Sequence, residues 1–193
     1  MNAETAVQTS PSLSADDKRF LLALSRDTLN AYLAGHRLPS YHVTTPALRV
    51  PRATFVTLRR RENGELRGCR GERAARHMLV ESVVNMTIAS AVDDPRFEPV
   101  RLGEVPGLHI EISALTPPHP IRPEEVVVGR HGLIVTAGYT AGLLLPQVPG
   151  QFHWDREAFL RAVCEKAGLP EDAWKWRGVR LEGFEAEVWE EED

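Results

Sequence analysis

Long hydrophobic runs are missing from this sequence, which nowhere has about eighteen consecutive apolar residues, the minimum for a membrane-spanning helix. Residues 1–13 also lack a basic start followed by a long apolar stretch. We therefore expect neither a secretion signal nor a membrane anchor. We predict a cytoplasmic protein in which residues 1–12 form a disordered tail.

Cysteine is scarce, with two residues in a chain of 193, Cys69 and Cys164. They lie far apart in the sequence, so free thiols in a reducing compartment are expected rather than a disulfide. Cys164 falls on the apolar face of a predicted helix, and we interpret it as a packing residue. The seven histidines are scattered, and none pairs with a cysteine at metal-ligand spacing. We predict no metal site and no cofactor.

Positive charge is in deficit, and the formal net charge of -4 argues against a general nucleic-acid binder. The segment 59–76 is an exception, because it carries seven arginines against three glutamates. Such a basic segment could line a pocket for a phosphate, a carboxylate or a nucleotide. Alternatively, its charges are solvated or neutralised by the acidic residues near the C-terminus.

Apolar residues recur with two different periods along the chain. Alternation over 108–114 and 184–188 predicts strands with one buried face, and the continuous apolar run 142–145 predicts a central strand. Helical spacing predicts a helix that begins after Ser14 and stops at Gly35, a second over 76–91 and a third from Asp155 to Gly168. With at least six strands in hairpin-like succession, these helices predict an α+β domain with a mainly antiparallel sheet.

One predicted hairpin carries the most interesting chemistry. The runs 55–60 and 66–71 are joined through Asn63-Gly64, which favours a tight turn. In an extended return arm, Arg67 and Cys69 share one face, and a thiol beside a cation has its thiolate form stabilised. Gly68 and Gly71 flank the cysteine, and glycines in strands permit a bulge or the close approach of a ligand or a second chain segment. The alternative interpretation is a buried, inert cysteine that packs as a small hydrophobe.

Two loops hold further candidate residues. Arg96 lies in the segment Asp93-Asp94-Pro95-Arg96-Phe97, whose charged residues could bind a ligand or could serve as ordinary turn residues. His131 lies between Gly129 and Gly132, where an imidazole could act as a general acid or base. A lone histidine in a turn is more often an ordinary residue.

A series of sequence blocks, taken in order, resembles the AMMECR-one-like family, whose prokaryotic members are also called AmmeMemoRadiSam system protein A. The matches run from about Leu13 to Glu191, so we expect one such domain over 13–193. The blocks that carry the resemblance are 55–58, 66–69, 94–97, 110–118, 130–135, 142–148 and 154–155.

The resemblance implies an α+β fold with a large domain around an antiparallel sheet, a smaller and mostly helical part, and a cleft between them. It implies no established activity. The family name implies partnership with a Memo-like protein and a radical S-adenosylmethionine protein. The hallmark LRGC block falls on Leu66, Arg67, Gly68 and Cys69, followed by Gly71, and the chain departs from it at Arg70, where the family has an aliphatic residue.

Two functional hypotheses follow. In the first, the protein is an enzyme with Cys69 as nucleophile or redox thiol, Arg67 as its cation and anion clamp, and His131 as acid or base. In the second, it is a non-enzymatic binding or regulatory module. Such a module would recognise a partner protein or a small anionic ligand through Arg67, Gly68 and Gly71, together with Arg96.

Overall fold

Two four-stranded antiparallel sheets, each with its own helices and its own core, organise the chain. The computed structural model describes residues 12–43, 45–72 and 74–192. A larger unit comprises residues 12–115 and 187–192, and a smaller unit comprises residues 116–186. The α+β class and the antiparallel pairing predicted from the sequence are confirmed. Most of the predicted tail, residues 1–11, lies outside the described residues, as do Arg73 and Asp193.

The sheet of the larger unit contains the predicted cysteine hairpin. Its strands are β1 (Thr54–Arg60), β2 (Leu66–Gly71), β3 (Leu108–Leu115) and β8 (Ala186–Glu190), in the order β2-β1-β3-β8. The connection between β1 and β2 turns at Gly64, which has a φ of 72°. The Asn63 side chain accepts a hydrogen bond of 3.0 Å from the Glu65 amide, so asparagine and glycine together close the turn.

Two helices cover one face of this sheet, α1 (Ala15–Leu33) and α2 (Leu79–Val92). Helix α1 begins as predicted, because the Ser14 hydroxyl accepts from the Asp17 amide while the Asp17 carboxylate accepts from the Ser14 amide. It ends just before Gly35, whose φ is 69°. Helix α2 begins three residues later than the predicted position 76, at the bridge between Pro51 and Met78.

The core of the larger unit lies between the helices and one face of the sheet. Every second residue of β1 and β3 points into it, and these are completely buried: Val56, Leu58, Ile110 and Ile112. The alternation that fills the core places the intervening residues of β1, β2 and β3 on the opposite face of the sheet. That opposite face carries Phe55, Thr57, Cys69, Glu111 and Ser113.

A buried arginine fixes the point where the chain leaves the larger unit and returns to it. The Arg52 side chain is only 1% exposed and donates to the carbonyl oxygens of Ala114 and Leu115 at the end of β3. Its Nη1 also donates to the Glu187 carboxylate, 2.9 Å away, on β8. Because these bonds use both backbone acceptors and a carboxylate, the buried charge is both paired and hydrogen-bonded.

The smaller unit has a sheet of its own. Its strands are β4 (His119–Pro120), β5 (Gly132–Ala137), β6 (Thr140–Leu144) and β7 (Arg180–Phe184), in the order β4-β7-β5-β6. They accompany α3 (Val148–Phe152) and α4 (Arg156–Lys166). This part is therefore less helical than the resemblance implied, because β5 pairs with β6 and β7 in a separate sheet.

Strand β6 and helix α4 of the smaller unit pack against each other. Strand β6 is an edge strand, so the prediction of a central strand over 142–145 is wrong. The apolar residues of β6 instead pack beside α4, where Gly142 lies so close that a Cβ would come within 2.6 Å of the Val163 carbonyl oxygen. Cys164 of α4 is completely buried in the core of this unit, as predicted. No helix among the described residues is long and apolar enough to cross a membrane.

We predict that Gly68→Ala destabilises the protein, because a Cβ at this position would lie 2.1 Å from the backbone carbonyl oxygen of Ser90 in α2. Relief requires a shift between the helix and the strand, so the free energy of unfolding should fall by about 1–3 kcal/mol. Denaturant titration of the variant measures this loss. The matched control is Gly103→Ala, where a Cβ meets no atom within 4 Å and the change should be small.

Candidate functional site

Cys69 lies on the face of the larger sheet opposite the helices, near the end of its edge strand. It is partly buried and stands opposite Thr57 of β1. The Thr57 hydroxyl donates to the Cys69 sulfur, with an Oγ1 to Sγ distance of 3.4 Å. Cys69 is thus a free, accessible thiol with one polar neighbour already oriented toward it.

The two glycines of the hallmark block make room for protein groups. At Gly68 the space of a side chain is occupied by the Ser90 carbonyl oxygen, and at Gly71 it is occupied by the ring of Phe55, 2.1 Å from where a Cβ would lie. The close approach of a second chain segment, one of the alternatives left open by the sequence, is therefore confirmed. Protein atoms fill the side-chain space beside both glycines, and binding of a ligand by Gly68 and Gly71 stays a prediction.

Ser90 of α2 forms hydrogen bonds with both strands of the hairpin close to Cys69. The Ser90 hydroxyl donates to the Val56 carbonyl oxygen at 2.7 Å and accepts from the Arg70 amide at 2.9 Å. It therefore bridges the two strands one residue beyond Cys69. The Arg70 side chain itself is exposed, so the departure from the family pattern at this position buries no charge.

Asp94 connects the cysteine to a cation. This side chain is almost completely buried, and its Oδ2 accepts from the Cys69 amide at 2.8 Å. The same carboxylate accepts from Arg96 through Nε at 2.9 Å and Nη2 at 2.7 Å, a bidentate pair. The Arg96 hydrogen bonds hold the pKa of Asp94 far below its ordinary value, against the opposing effect of burial. Asp94 is therefore ionised at neutral pH.

Arg96 is held rigidly but remains open to solvent. Its side chain is 56% exposed, and its guanidinium lies 5.5 Å from the centre of the Phe97 ring. The hydrogen bond to Asp94 raises the pKa of Arg96, burial opposes this shift, and the nearby Asp94 and Cys69 contribute to the rise through their charges. Asp94 closes the turn by accepting from the Arg96 amide, in agreement with the turn interpretation of this loop, whereas ligand binding by Arg96 stays a prediction.

Arg67 has a different environment from the one predicted. The side chain is buried, and its Nε and Nη2 donate to the Glu104 carboxylate while Nη1 donates to the Glu98 carbonyl oxygen. These bonds commit the guanidinium to the protein, which contradicts the predicted role as an open anion clamp. The reason is a bulge: Leu58 pairs with Gly68 and Arg59 with Leu66, so Arg67 is an extra residue and the alternation that linked it to Cys69 is interrupted.

Glu111 lies on the same face of the sheet, one strand beyond Thr57. In the pairing register Thr57 is opposite both Cys69 of β2 and Glu111 of β3. Burial raises the pKa of the Glu111 carboxyl, while the charges of Arg59 and His109 lower it and that of Glu190 raises it. Neither Thr57 nor Glu111 was predicted from the sequence as a site residue. The alternation of both strands was visible, but which residues stand opposite one another depends on the register.

His131 belongs to the smaller unit, whereas Cys69 belongs to the larger one. Its Nδ1 accepts a hydrogen bond of 3.1 Å from the Val127 amide, which places the proton of the neutral imidazole on Nε2. Burial lowers the pKa of His131, and the charge of Arg130 lowers it further. The side chain therefore helps to close the turn 127–131, and its catalytic pairing with Cys69 stays a prediction.

A model of the AMMECR1 family matches residues 22–189. The chain belongs to the AMMECR1 family. Among its relatives, protein PH0010 of Pyrococcus horikoshii is 44% identical over 183 residues, which cover 90% of this chain and 89% of the relative. Protein MJ0810 of Methanocaldococcus jannaschii is 38% identical over 188 residues, with 93% and 92% of the two chains covered.

The crystal structure of PH0010 gives the same fold for this AMMECR1-family chain. The two superpose with a TM-score of 0.81 over 90% of each chain, at 44% sequence identity. Membership in the AMMECR1 family therefore establishes the fold. Because the family has no established activity, function must be inferred from the site.

We predict that Glu104→Gln reduces stability at pH 7 but much less at low pH. The Arg67 hydrogen bond lowers the pKa of Glu104 from the ordinary 4.5 to about 2, against the effect of burial. The folded state thus favours the carboxylate, so the stabilisation is complete above pH 4.5 and is lost as the pH falls toward 2. Replacing the charge should cost about 1–3 kcal/mol at pH 7.

Denaturant titrations of both proteins between pH 7 and pH 2 measure this difference. Glu62→Gln, at an exposed position of the hairpin turn, is the matched control and should follow the wild type throughout. A constant gap between wild type and Glu104→Gln at all pH values would contradict the prediction.

Proposed function

We propose that this protein is a cysteine-dependent enzyme that acts on a small anionic substrate, with Cys69 as nucleophile. The observation that supports the proposal best is the chain of hydrogen bonds from the Cys69 amide to Asp94 and from Asp94 to Arg96. It holds a cation, open to solvent, beside a free thiol. An ion pair that only stabilises the fold does not require an exposed guanidinium next to a partly buried cysteine.

Each group has a defined chemical task in this proposal. Thr57 donates a hydrogen bond to the Cys69 sulfur, which is the nucleophile, and thereby orients it. Arg96 uses Nε and one hydrogen of Nη2 on Asp94, so its Nη1 and the second hydrogen of Nη2 remain for a carboxylate or a phosphate. Asp94 keeps the guanidinium in place, and this preorganisation avoids part of the entropy cost of binding.

The second candidate is a non-enzymatic module that recognises a small anion or an acidic partner through Arg96. The exposure of the guanidinium favours it, because a surface cation with a fixed orientation can serve recognition without any reaction at sulfur. In that case the anion would bind in the same way, but Cys69→Ser would retain full function in cells. In the enzyme, the same substitution abolishes function.

The family resemblance adds a proposal on partners and location. We propose that the protein acts in the cytoplasm together with a Memo-like protein and a radical S-adenosylmethionine protein. The fold itself does not select these partners, and the proposal rests on the family resemblance.

We predict that inorganic phosphate protects Cys69 from alkylation by iodoacetamide. An anion held by Arg96 would lie beside the thiol, so the alkylation rate should fall severalfold at saturating phosphate and constant ionic strength. Arg96→Gln should abolish this protection because the variant lacks the guanidinium that would bind phosphate. Mass spectrometry of the peptide that contains Cys69 gives the rate, and Cys69→Ser isolates the reaction of Cys164.

The matched control is Arg70→Gln, which removes an exposed arginine from the residue next to Cys69. This variant should keep the protection. Equal protection in wild type and Arg96→Gln would contradict the assignment of Arg96.

We predict that the proposed partners bind the purified chain. Co-expression with a Memo-like protein and a radical S-adenosylmethionine protein should yield a complex that co-elutes in size-exclusion chromatography at moderate salt. If all three proteins elute separately at micromolar concentrations, the partner proposal is wrong, while the proposals about Cys69 and Arg96 are unaffected.

A further inference from the structure

The smaller unit contains a cavity of its own. Its volume is about 340 Å³, and it is lined by residues at the start of helix α4 and in the segments 123–124 and 174–175. Every residue that lines it belongs to the smaller unit, whereas Cys69 and Arg96 belong to the larger one. Pockets that bind small molecules have volumes of about 300–1,000 Å³, so this cavity has room for a small ligand.

Two cations line the cavity, and neither has an acidic partner. Arg156 donates through Nη1 to the backbone carbonyl oxygen of Glu124 at 2.9 Å, so its Nε and Nη2 groups remain for a ligand. The Lys175 ammonium lies 4.7 Å from the centre of the Trp174 ring. No carboxylate in the described part of the chain forms an ion pair with either cation. Their positive charges are therefore available to an anion.

Two glutamates also line the cavity, but each is already paired with an arginine that does not line it. The Glu157 carboxylate accepts from Arg161 Nη2 at 2.7 Å, and the Glu124 carboxylate lies 3.5 Å from Arg122 Nη1. Both glutamates are thus neutralised by side chains from outside the cavity. The two cations of the lining consequently leave an excess of positive charge, which suits a doubly charged anion.

The rest of the lining gives the cavity an apolar side. It consists of Leu160, which is buried, together with Pro123 and Trp174. The Trp174 Nε1 atom is also buried, and within residues 12–43, 45–72 and 74–192 it has no hydrogen-bond partner. A buried donor without an acceptor is costly to the fold, and an acceptor atom of a ligand would satisfy it. A ligand with an anionic part and an apolar part therefore fits this lining.

We propose that this cavity binds a phosphate monoester whose second part is a small apolar group. Arg156 and Lys175 bind the phosphate, because two cations match its nearly double negative charge and a guanidinium forms paired hydrogen bonds with phosphate oxygens. Leu160 and the Trp174 ring contact the apolar group. A carboxylate carries a single charge and would leave one cation without a counter-charge. This binding requires no reaction at sulfur and goes beyond the proposed function.

Phenyl phosphate, in which a phosphate is joined to an apolar ring, is the probe. Its binding to the full chain is followed by the indole N–H NMR signal of Trp174, which is identified as the signal missing from Trp174→Phe. We expect this signal to shift in a saturable manner. Arg156→Gln and Lys175→Gln should each weaken binding about tenfold, because each removes a charge-assisted contact. Inorganic phosphate, which lacks the apolar part, and benzoate, which carries a single charge, should both bind more weakly.

The matched control is Arg177→Gln, which removes an exposed cation close to Lys175 that does not line the cavity. This variant should bind phenyl phosphate as the wild type does. An unchanged indole signal of Trp154, which also belongs to the smaller unit, shows that each variant is folded before the titration.

Three results would overturn the phosphate site: a Trp174 signal that does not respond to phenyl phosphate, equal binding by the wild type and both cation variants, or benzoate bound as tightly as phenyl phosphate. Arg96→Gln should bind phenyl phosphate at this cavity with unchanged affinity, because Arg96 belongs to the larger unit. Failure of phosphate to protect Cys69 would overturn the proposed function and leave the assignment of this cavity in place.

Discussion

The close approach of α2 to β2 at Gly68 is the constraint on which the site depends. Because Gly68 has no side chain, the Ser90 carbonyl oxygen lies where a Cβ would be, and the Ser90 hydroxyl reaches between the two strands of the hairpin. The end of α2 is thereby fixed against the strand. The segment after the helix then brings Asp94 to the Cys69 amide, and Asp94 brings Arg96. A larger residue at position 68 would disturb each of these contacts in turn.

Asp94 also resolves a problem that edge strands create. Strand β2 is the edge of its sheet, where an unpaired amide could bind another strand. The buried Asp94 carboxylate accepts from the Cys69 amide, so this position of the edge is closed. The same contact positions a cation beside the thiol, which means that one carboxylate serves both the fold and the candidate site.

Arg67 and Arg96 have opposite environments. Arg67 lies two residues before Cys69, but the bulge in β2 and the partner Glu104 bury it in the protein. Arg96 lies 27 positions after Cys69 and is nevertheless the cation beside it. Proximity in sequence was therefore misleading, because a single extra residue in a strand changes the direction of a side chain, and the contact with Arg96 is formed only when α2 packs on the hairpin.

The sequence by itself determined the local structure: the Asn63-Gly64 hairpin, the capping box at Ser14, the helix from Asp155 with buried Cys164, and the α+β class. These features depend on interactions between near neighbours in the chain. The spacing of apolar residues and the identity of turn residues reveal such interactions directly. Only the tertiary structure decided which residues surround Cys69. Strand register placed Thr57 and Glu111 in one row with it, and the packing of α2 added Asp94 and Arg96. Such contacts join residues far apart in the chain, so they are set by the packing of the whole unit and no local pattern records them.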